Sequence, residues 1–387
     1  MAKKSISPVL EVSNLGPVRS ATLEFGNFTV LVGPQASGKS VLLQTLKLML
    51  DHGSIGSTLR REGYDWQGKP SQFMELFFGE GMEHLWTPET KVSWLGKPVD
   101  IARMAAARVR SDSTASLFYI PAHRVITLKN GWPRHFGDYT PGDPYVVQDF
   151  SERLRMLMEA GLGRGAAIFP QGGRLTEATR TLLKRGIYGD YELKQELSGL
   201  QKRLVLQRGK EKALPFMVWS AGQREFSPLL LGLYHLMPAG KVSRRQGIDW
   251  VVLEEPEMGL HPRAITAVLF LVLELLHRGH RICMSTHSPH VLDLLWALRV
   301  LIEKKAGPEW VLKLFNVSNQ PKNKEIAASI LKQVIKVHYL DREEPASVDI
   351  SRLDPESDSI HETNWGGLTE FSGRASDVVA DFIANHS

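Results

Sequence analysis

The period of the apolar positions changes several times along the 387 residues of the chain. LEVSNLGPVRSATLEFG, residues 10–26, alternates apolar with polar and is broken at Gly16-Pro17, which predicts two strands joined as a hairpin. FTVLVG, 28–33, is an unbroken apolar run and predicts a short buried strand, whereas SVLLQTLKLML, 40–50, has its apolar residues at helical spacing. The loop GPQASGKS therefore lies between a strand and a helix.

Beyond that helix the periodicity weakens. Residues 52–116 are polar with scattered aromatics and read as an inserted lobe, with one helix over DIARMAAARVR, 100–110. SLFYIPAHR, 116–124, returns as a buried strand, and a second lobe follows over 125–205 with helices at DFSERLRMLMEAGL and LTEATRTLLKRG. RLVLQ and LPFMVW predict short strands, and a helix begins behind Ser220. DWVVLEE, RAITAVLFLVLELLHRG and RICMST then give strand, helix, strand. This alternation predicts an α/β fold with a mixed, largely parallel sheet and inserted helical lobes. The expected division is 1–51 (N-terminal strands, loop and first helix), 52–116 (inserted lobe), 117–124 (core strand), 125–205 (second, helical lobe), 206–340 (remaining core) and 341–387 (acidic tail). No heptad array is present, which argues against a coiled-coil arm.

Composition narrows the class only modestly. At 43% hydrophobic and 23% charged the chain is ordinary globular material. No apolar run is long enough to cross a bilayer, and none follows Lys3-Lys4, so a cytoplasmic protein without membrane contact is expected. The lone Cys283 allows neither an internal disulfide nor a cysteine zinc cluster. The net charge of +5 hides an asymmetry: residues 341–387 hold 11 acidic against 3 basic residues, a net of −8, which leaves +13 for residues 1–340. A basic body fits a nucleic-acid partner and equally an ordinary solvated surface, so nucleic acid stays open as a partner.

Gly33, Pro34, Gln35, Ala36, Ser37, Gly38, Lys39 and Ser40 match G-x-x-x-x-G-K-[ST] at every fixed position, in the required strand-loop-helix context. Glycines let successive amides curl toward phosphate, Lys39 reaches the β and γ phosphates, and Ser40 offers a hydroxyl to magnesium. ATP and Mg2+ are therefore the expected ligands. VVLEEPEMGLHP, 251–262, places Glu254 and Glu255 at the end of an apolar strand, where adjacent carboxylates are tolerable only if a cation or a water proton is shared between them. Glu254 is assigned to the metal shell and Glu255 to activation of the attacking water. Glu257 is read as a charge interacting with the dipole of the helix from about Pro262. Ser220, Ala221, Gly222 and Gln223 open a helix and make a second anion site; His287 ends the strand after the carboxylate strand and could reach a γ phosphate.

In this order, GPQASGKS, SAGQ, VVLEEPEMGLHP and STHSP resemble the ABC-type P-loop ATPase heads of the AAA/OLD-like group, which is related to SMC and recombination-repair heads. The ending WGGLTEF is similar to that of many small stand-alone bacterial members. The resemblance implies a dimer that clamps ATP between the 33–40 loop of one subunit and Ser220–Gln223 of the other, which would explain the second cradle. Position 254 carries Glu where transporters of this superfamily carry Asp, and Trp219 and Ala221 replace the usual leucine and glycine of the signature, which argues against a transporter subunit. At the place of a metal-sensing glutamine stand His123 and Arg124, and Gln148 is too far along the chain to assign. The expected function is an ATPase that dimerises on ATP and regulates a separate effector in a defence or toxin-like module. Two alternatives are a DNA-engaging repair or chromosome-type ATPase and a nucleotide-bound scaffold with negligible turnover.

Overall fold

The computed structural model describes residues 7–107, 113–162, 167–238, 244–341, 347–354 and 357–386. Its N-terminal strands β1 (Val9–Leu15) and β2 (Val18–Glu24) pair antiparallel, burying Leu10, Val12 and Leu15 while Glu11 stays exposed. The turn needs glycine: Gly16 has φ 52°, and a Cβ there would lie 2.3 Å from Leu85 Cδ1. Strand β3 (Phe28–Val32) is buried at all five positions and feeds the loop that opens helix α1 (Lys39–Arg61).

Helix α1 runs past residue 51, where the sequence pattern placed a boundary. Asp51 is the reason the pattern breaks: its backbone leaves the helical range (φ −128°), yet the helix resumes beyond it. The Asp51 carboxylate accepts from Lys47 Nζ at 2.7 Å and from the amides of Ser116 at 2.7 Å and Leu117 at 3.0 Å. A kinked helix is thereby tied to the start of the next core strand.

The stretch expected as an inserted lobe is built into the N-terminal sheet. After helix α2 (Pro70–Phe78), strand β4 (Trp86–Trp94) pairs antiparallel with β1, Val12 opposite Val92, and the short β5 (Lys97–Pro98) extends the sheet. Helix α3 covers Ile101–Ala106; the rest of the predicted helix, residues 108–110, lies outside the described residues. Strand β6 (Leu117–Ile120) then enters the main sheet.

The second expected lobe is only partly helical. It holds the small hairpin β7 (Leu128–Lys129) and β8 (Trp132–Pro133), helices α4 (Tyr145–Glu159) and α5 (Glu177–Leu183), and an antiparallel pair, β9 (Glu192–Ser198) and β10 (Gln201–Gln207). The predicted strand LPFMVW is strand only at β11 (Leu214–Pro215) and turns into a 3-10 helix at Phe216–Val218, which delivers the chain to α6 (Ala221–Leu236).

Strand β12 (Trp250–Glu254), helix α7 (Pro262–His277) and strand β13 (Arg281–Ser285) follow as the alternation predicts. Helices α8 (Pro289–Glu303), α9 (Pro308–Leu314) and α10 (Pro321–Ile330) lead to β14 (Ile335–Leu340) and β15 (Ser347–Asp349). The main sheet has the order β15-β14-β3-β13-β12-β6, parallel throughout except for the edge strand β15. Neighbouring residues go to opposite faces: Val30, Leu253 and Met284 join the core under α6 and α7, whereas Leu31, Val252 and Cys283 join the one under α1 and the N-terminal sheet. Both faces are covered, so these strands show no polar alternation.

The acidic end is less of a free tail than its charge suggests. Ile350, Leu353 and Trp365 are buried in the main core, and Trp365 Nε1 donates to Asp293 Oδ1 at 2.8 Å. Helix α11 (Glu370–His386) follows, with Phe371, Val378 and Val379 exposed. Of the acids in this region, residues 343, 344 and 356 lie outside the described residues. Among the described residues no helix is long and apolar enough to cross a membrane.

Candidate functional site

The register of the main sheet pairs Glu254 with Ser285 and Ser285 with Leu31, so the loops after β3, β12 and β13 leave one edge side by side. One strand, β13, separates the strand of the glycine loop from the strand of the paired glutamates.

Gly33, at φ 141°, runs so close to β14 that a Cβ would stand 2.0 Å from the Leu340 carbonyl oxygen. Ala36 (φ 58°) and Gly38 (φ 91°) continue the curl. Lys39 is enclosed by the loop it follows: its Nζ donates to the carbonyls of Gly33 at 2.8 Å and Pro34 at 2.7 Å, with the Ser37 hydroxyl at 3.4 Å. Burial lowers its pKa to about 8, against the pull of Glu255 and Glu257. Pro34, Gln35 and Ala36 are exposed, as is Ser40 in the first turn of α1.

Glu254 is buried. Its Oε2 accepts from the Ala122 amide at 3.2 Å, while Oε1 is enclosed without a hydrogen-bond partner. Burial raises its pKa, opposed by the nearby hydroxyls of Ser40 and Tyr119 and by the Ala122 amide, while the neighbouring Glu255 adds to the rise. An enclosed, unpaired carboxylate oxygen is costly, and a hard cation with oxygen ligands would satisfy it. The donor set of Ser40 and Glu254 thus fits magnesium.

Glu255 has a left-handed backbone (φ 41°), which turns it out of the strand line. Its Oε1 lies 3.4 Å from His287 Nε2, and this contact holds its carboxyl below the usual range although burial opposes it. Glu257 does not serve the N-terminus of α7, which is capped by His261 accepting from the Arg263 amide at 3.2 Å. Instead Glu257 Oε1 receives the Thr286 hydroxyl at 2.6 Å and the His287 amide at 2.8 Å. The partners of Glu257 thus lie in the loop after β13, 29 and 30 residues further along the chain, where no local pattern could show them.

Ser220 caps α6 in a capping box: its hydroxyl accepts from the Gln223 amide at 3.3 Å and Gln223 Oε1 accepts from the Ser220 amide at 3.1 Å. Ser220 and Ala221 are exposed, and Gly222 packs beside the Gly259 carbonyl, where a Cβ would come within 3.1 Å. Among the described residues no hydrogen bond joins 220–223 to 33–40 of the same chain; Gln223 Nε2 reaches Ile187 instead.

Arg124 is enclosed behind the glutamates, and its guanidinium donates to main-chain carbonyls of Glu225, Glu254 and Glu255. His123 is exposed. Gln148 is buried in the first turn of α4 and donates to the Asp143 carbonyl at 2.6 Å, which is a structural duty. Sequence reasoning noted Arg124 only as an oddity. The available signal was a charged residue closing an unbroken apolar run.

A glycine loop between β3 and α1, two glutamates ending β12 and a histidine after β13 on a parallel sheet make the arrangement of a P-loop nucleotide-binding fold. Residues 184–293 match the family model described as an AAA domain, putative AbiEii toxin, Type IV TA system. No curated protein matches the chain significantly. Among solved structures, an SmcHead bound to the C-winged helix domain of ScpA aligns at 10% identity over 88% of this chain and 96% of that one, with a TM-score of 0.42. The SMC head domain from Thermotoga maritima aligns at 13% identity over 74% and 90%, with a TM-score of 0.32. An Smc head with an extended coiled coil, bound to the C-terminal domain of ScpA derived from Pyrococcus furiosus, aligns at 8% identity over 89% and 96%, with a TM-score of 0.40. Likeness at this level carries no argument about activity or partners.

Proposed function

We propose that the chain binds ATP with magnesium at Gly33–Ser40, hydrolyses it with Glu255 as the water-activating base, and uses an ATP-held homodimer to regulate a separate effector. The observation that carries this reading is the convergence of Lys39, Glu254, Glu255 and His287 on one sheet edge. Phosphate would draw Lys39 off the Gly33 and Pro34 carbonyls, while the amides of the loop and of the first turn of α1 hold the phosphate oxygens. Ser40 and Glu254 would hold the metal, which when bound offsets charge on the phosphates. Glu255, kept ionised by His287, takes the proton of the attacking water, and His287 is held in place by Glu257.

Dimerisation is supported by Ser220 and Ala221, which are exposed and, among the described residues, make no hydrogen bond with 33–40 of their own chain. The toxin–antitoxin description of the matching family model supports the effector module. Phosphate release by the purified protein, together with sedimentation of Glu255→Gln with and without ATP, tests the reading. The expected result is turnover in the parent and an ATP-dependent dimer in the variant. Binding without turnover in the parent would favour the scaffold reading, and absence of nucleotide binding would end both.

One surface favours the DNA-engaging alternative. An open cleft of about 780 Å3 between β7–β8 and β9–β10 gathers Lys129, Arg134, Lys202 and Arg203 beside Trp132, against Asp138 and Glu159 in the same lining and with Arg203 paired to Glu196. Basic residues around an aromatic ring suit a single strand. Oligonucleotide anisotropy at two salt concentrations tests it: binding that weakens with salt, and weakens further in Lys129→Glu with Lys202→Glu, supports this reading.

A further inference from the structure

Arg124 has no exposed surface, and Glu225, Glu257, Glu255 and Glu254 surround its charge. The nearest ion-pair contact is Glu225 Oε2 at 3.7 Å. Its donors go to main-chain oxygens: Nε to Glu225 at 3.0 Å, one terminal nitrogen to Glu254 at 3.1 Å and Pro121 at 3.5 Å, the other to Glu255 at 3.2 Å. Burying a full charge is tolerable because its donors are used, and here they are spent on main-chain oxygens around Glu255 rather than on a bidentate carboxylate.

The carbonyls of Glu254 and Glu255 belong to the two peptide planes on either side of the Glu255 Cα. One rigid, planar guanidinium therefore grips both planes whose relative rotation sets the Glu255 backbone. That backbone is left-handed, at φ 41°, a conformation that costs a non-glycine residue energy and persists only where the surroundings hold it. The same guanidinium holds the carbonyl of Glu225 in α6, the helix whose first residues follow Ser220.

We infer that Arg124 is a positioning residue: it locks the backbone of Glu255 so that the carboxylate faces His287, and it ties that pose to the placement of α6. This rests on the reading of Glu255 as the base. It places at the 121–124 corner, where the resemblance would put a glutamine, a part that acts on the carboxylate through its main chain. A shift of α6 on contact with a second copy or another protein would be transmitted to Glu255 without any contact with nucleotide.

The test is a double-mutant cycle in the full chain. Arg124→Lys keeps the charge but cannot bridge both peptides, so kcat should fall about a hundredfold, the loss expected for a misplaced catalytic group, while ATP affinity stays within about twofold. In a Glu255→Gln background the same substitution should leave the residual rate unchanged, because the residue it acts through is already disabled. Losses that multiply would overturn the inference and make Arg124 a general structural residue. If Arg124→Lys does not fold, Arg124→Gln is measured in its place, and if neither variant binds ATP the role is in folding and the inference falls. Parental turnover in Glu255→Gln alone is a different failure: it removes Glu255 as the base, and the inference falls with that reading rather than on the role of Arg124.

Discussion

Glu257 holds the main-chain amide of His287 at 2.8 Å through Oε1, the oxygen that also receives the Thr286 hydroxyl. The histidine that faces Glu255 is thus set by the loop after the neighbouring strand. Glu257→Ala should misplace His287 and lower turnover about tenfold or more, with nucleotide affinity little changed. The same substitution made in His287→Ala should add little, and phosphate-release rates of the four proteins decide it.

Nucleotide binding should rest on Lys39 and depend on its protonation. Lys39→Ala should abolish binding in a titration of the folded variant. In the free protein the Lys39 pKa is lowered to about 8 by burial, so the cationic form that phosphate needs is lost as pH rises through that value. Affinity should therefore weaken about tenfold between pH 8 and pH 9.5. Lys39→Arg, if it binds, should show a flat profile over that range, and a parental profile equally flat would count against the assignment.

Glu255→Gln should bind ATP and stall, because a proton-accepting carboxylate acts mainly in the transition state. A loss of at least about a hundredfold in single-turnover hydrolysis is expected. His287→Ala should lose less, since Glu255 keeps its backbone contacts with Arg124 and with the Ser285 carbonyl, 3.1 Å from its amide.

Ser220 should act on the nucleotide of a second subunit. Mixing Lys39→Ala with Ser220→Arg puts both lesions at one composite site and leaves the other whole, so part of the activity should return. Heterodimers confirmed by tagged pull-down that stay inactive would argue against the sandwich.

The buried pair of Lys47 and Asp51 should be a point of stability rather than activity. Both side chains are almost wholly enclosed, and Asp51 also receives two amides at the start of β6. Asp51→Ala leaves an uncompensated buried ammonium and should cost about 3–5 kcal/mol, read from denaturant unfolding.

Much of this protein was determined by local sequence. FTVLVG followed by GPQASGKS is a strand that must be buried and a loop whose glycines permit the left-handed turns, so strand, loop and helix follow from short-range chemistry. The parallel sheet was legible from the alternation after Ser220 for the same reason. The tertiary structure alone decided what depends on contacts between distant residues. The kink at Asp51 is held by amides of Ser116 and Leu117, so a polar break in the pattern looked like the end of a helix. β4 reads weakly because only one of its faces is covered, and β1, far back in the chain, supplies its partner. Glu257 and Arg124 have no periodicity to betray them: one reaches residues 29 and 30 positions away, the other residues 101 to 131 positions away. Sequence supplies the ionisable groups at a sheet edge, but which of them face each other is set by the register of strands that meet only in the folded chain.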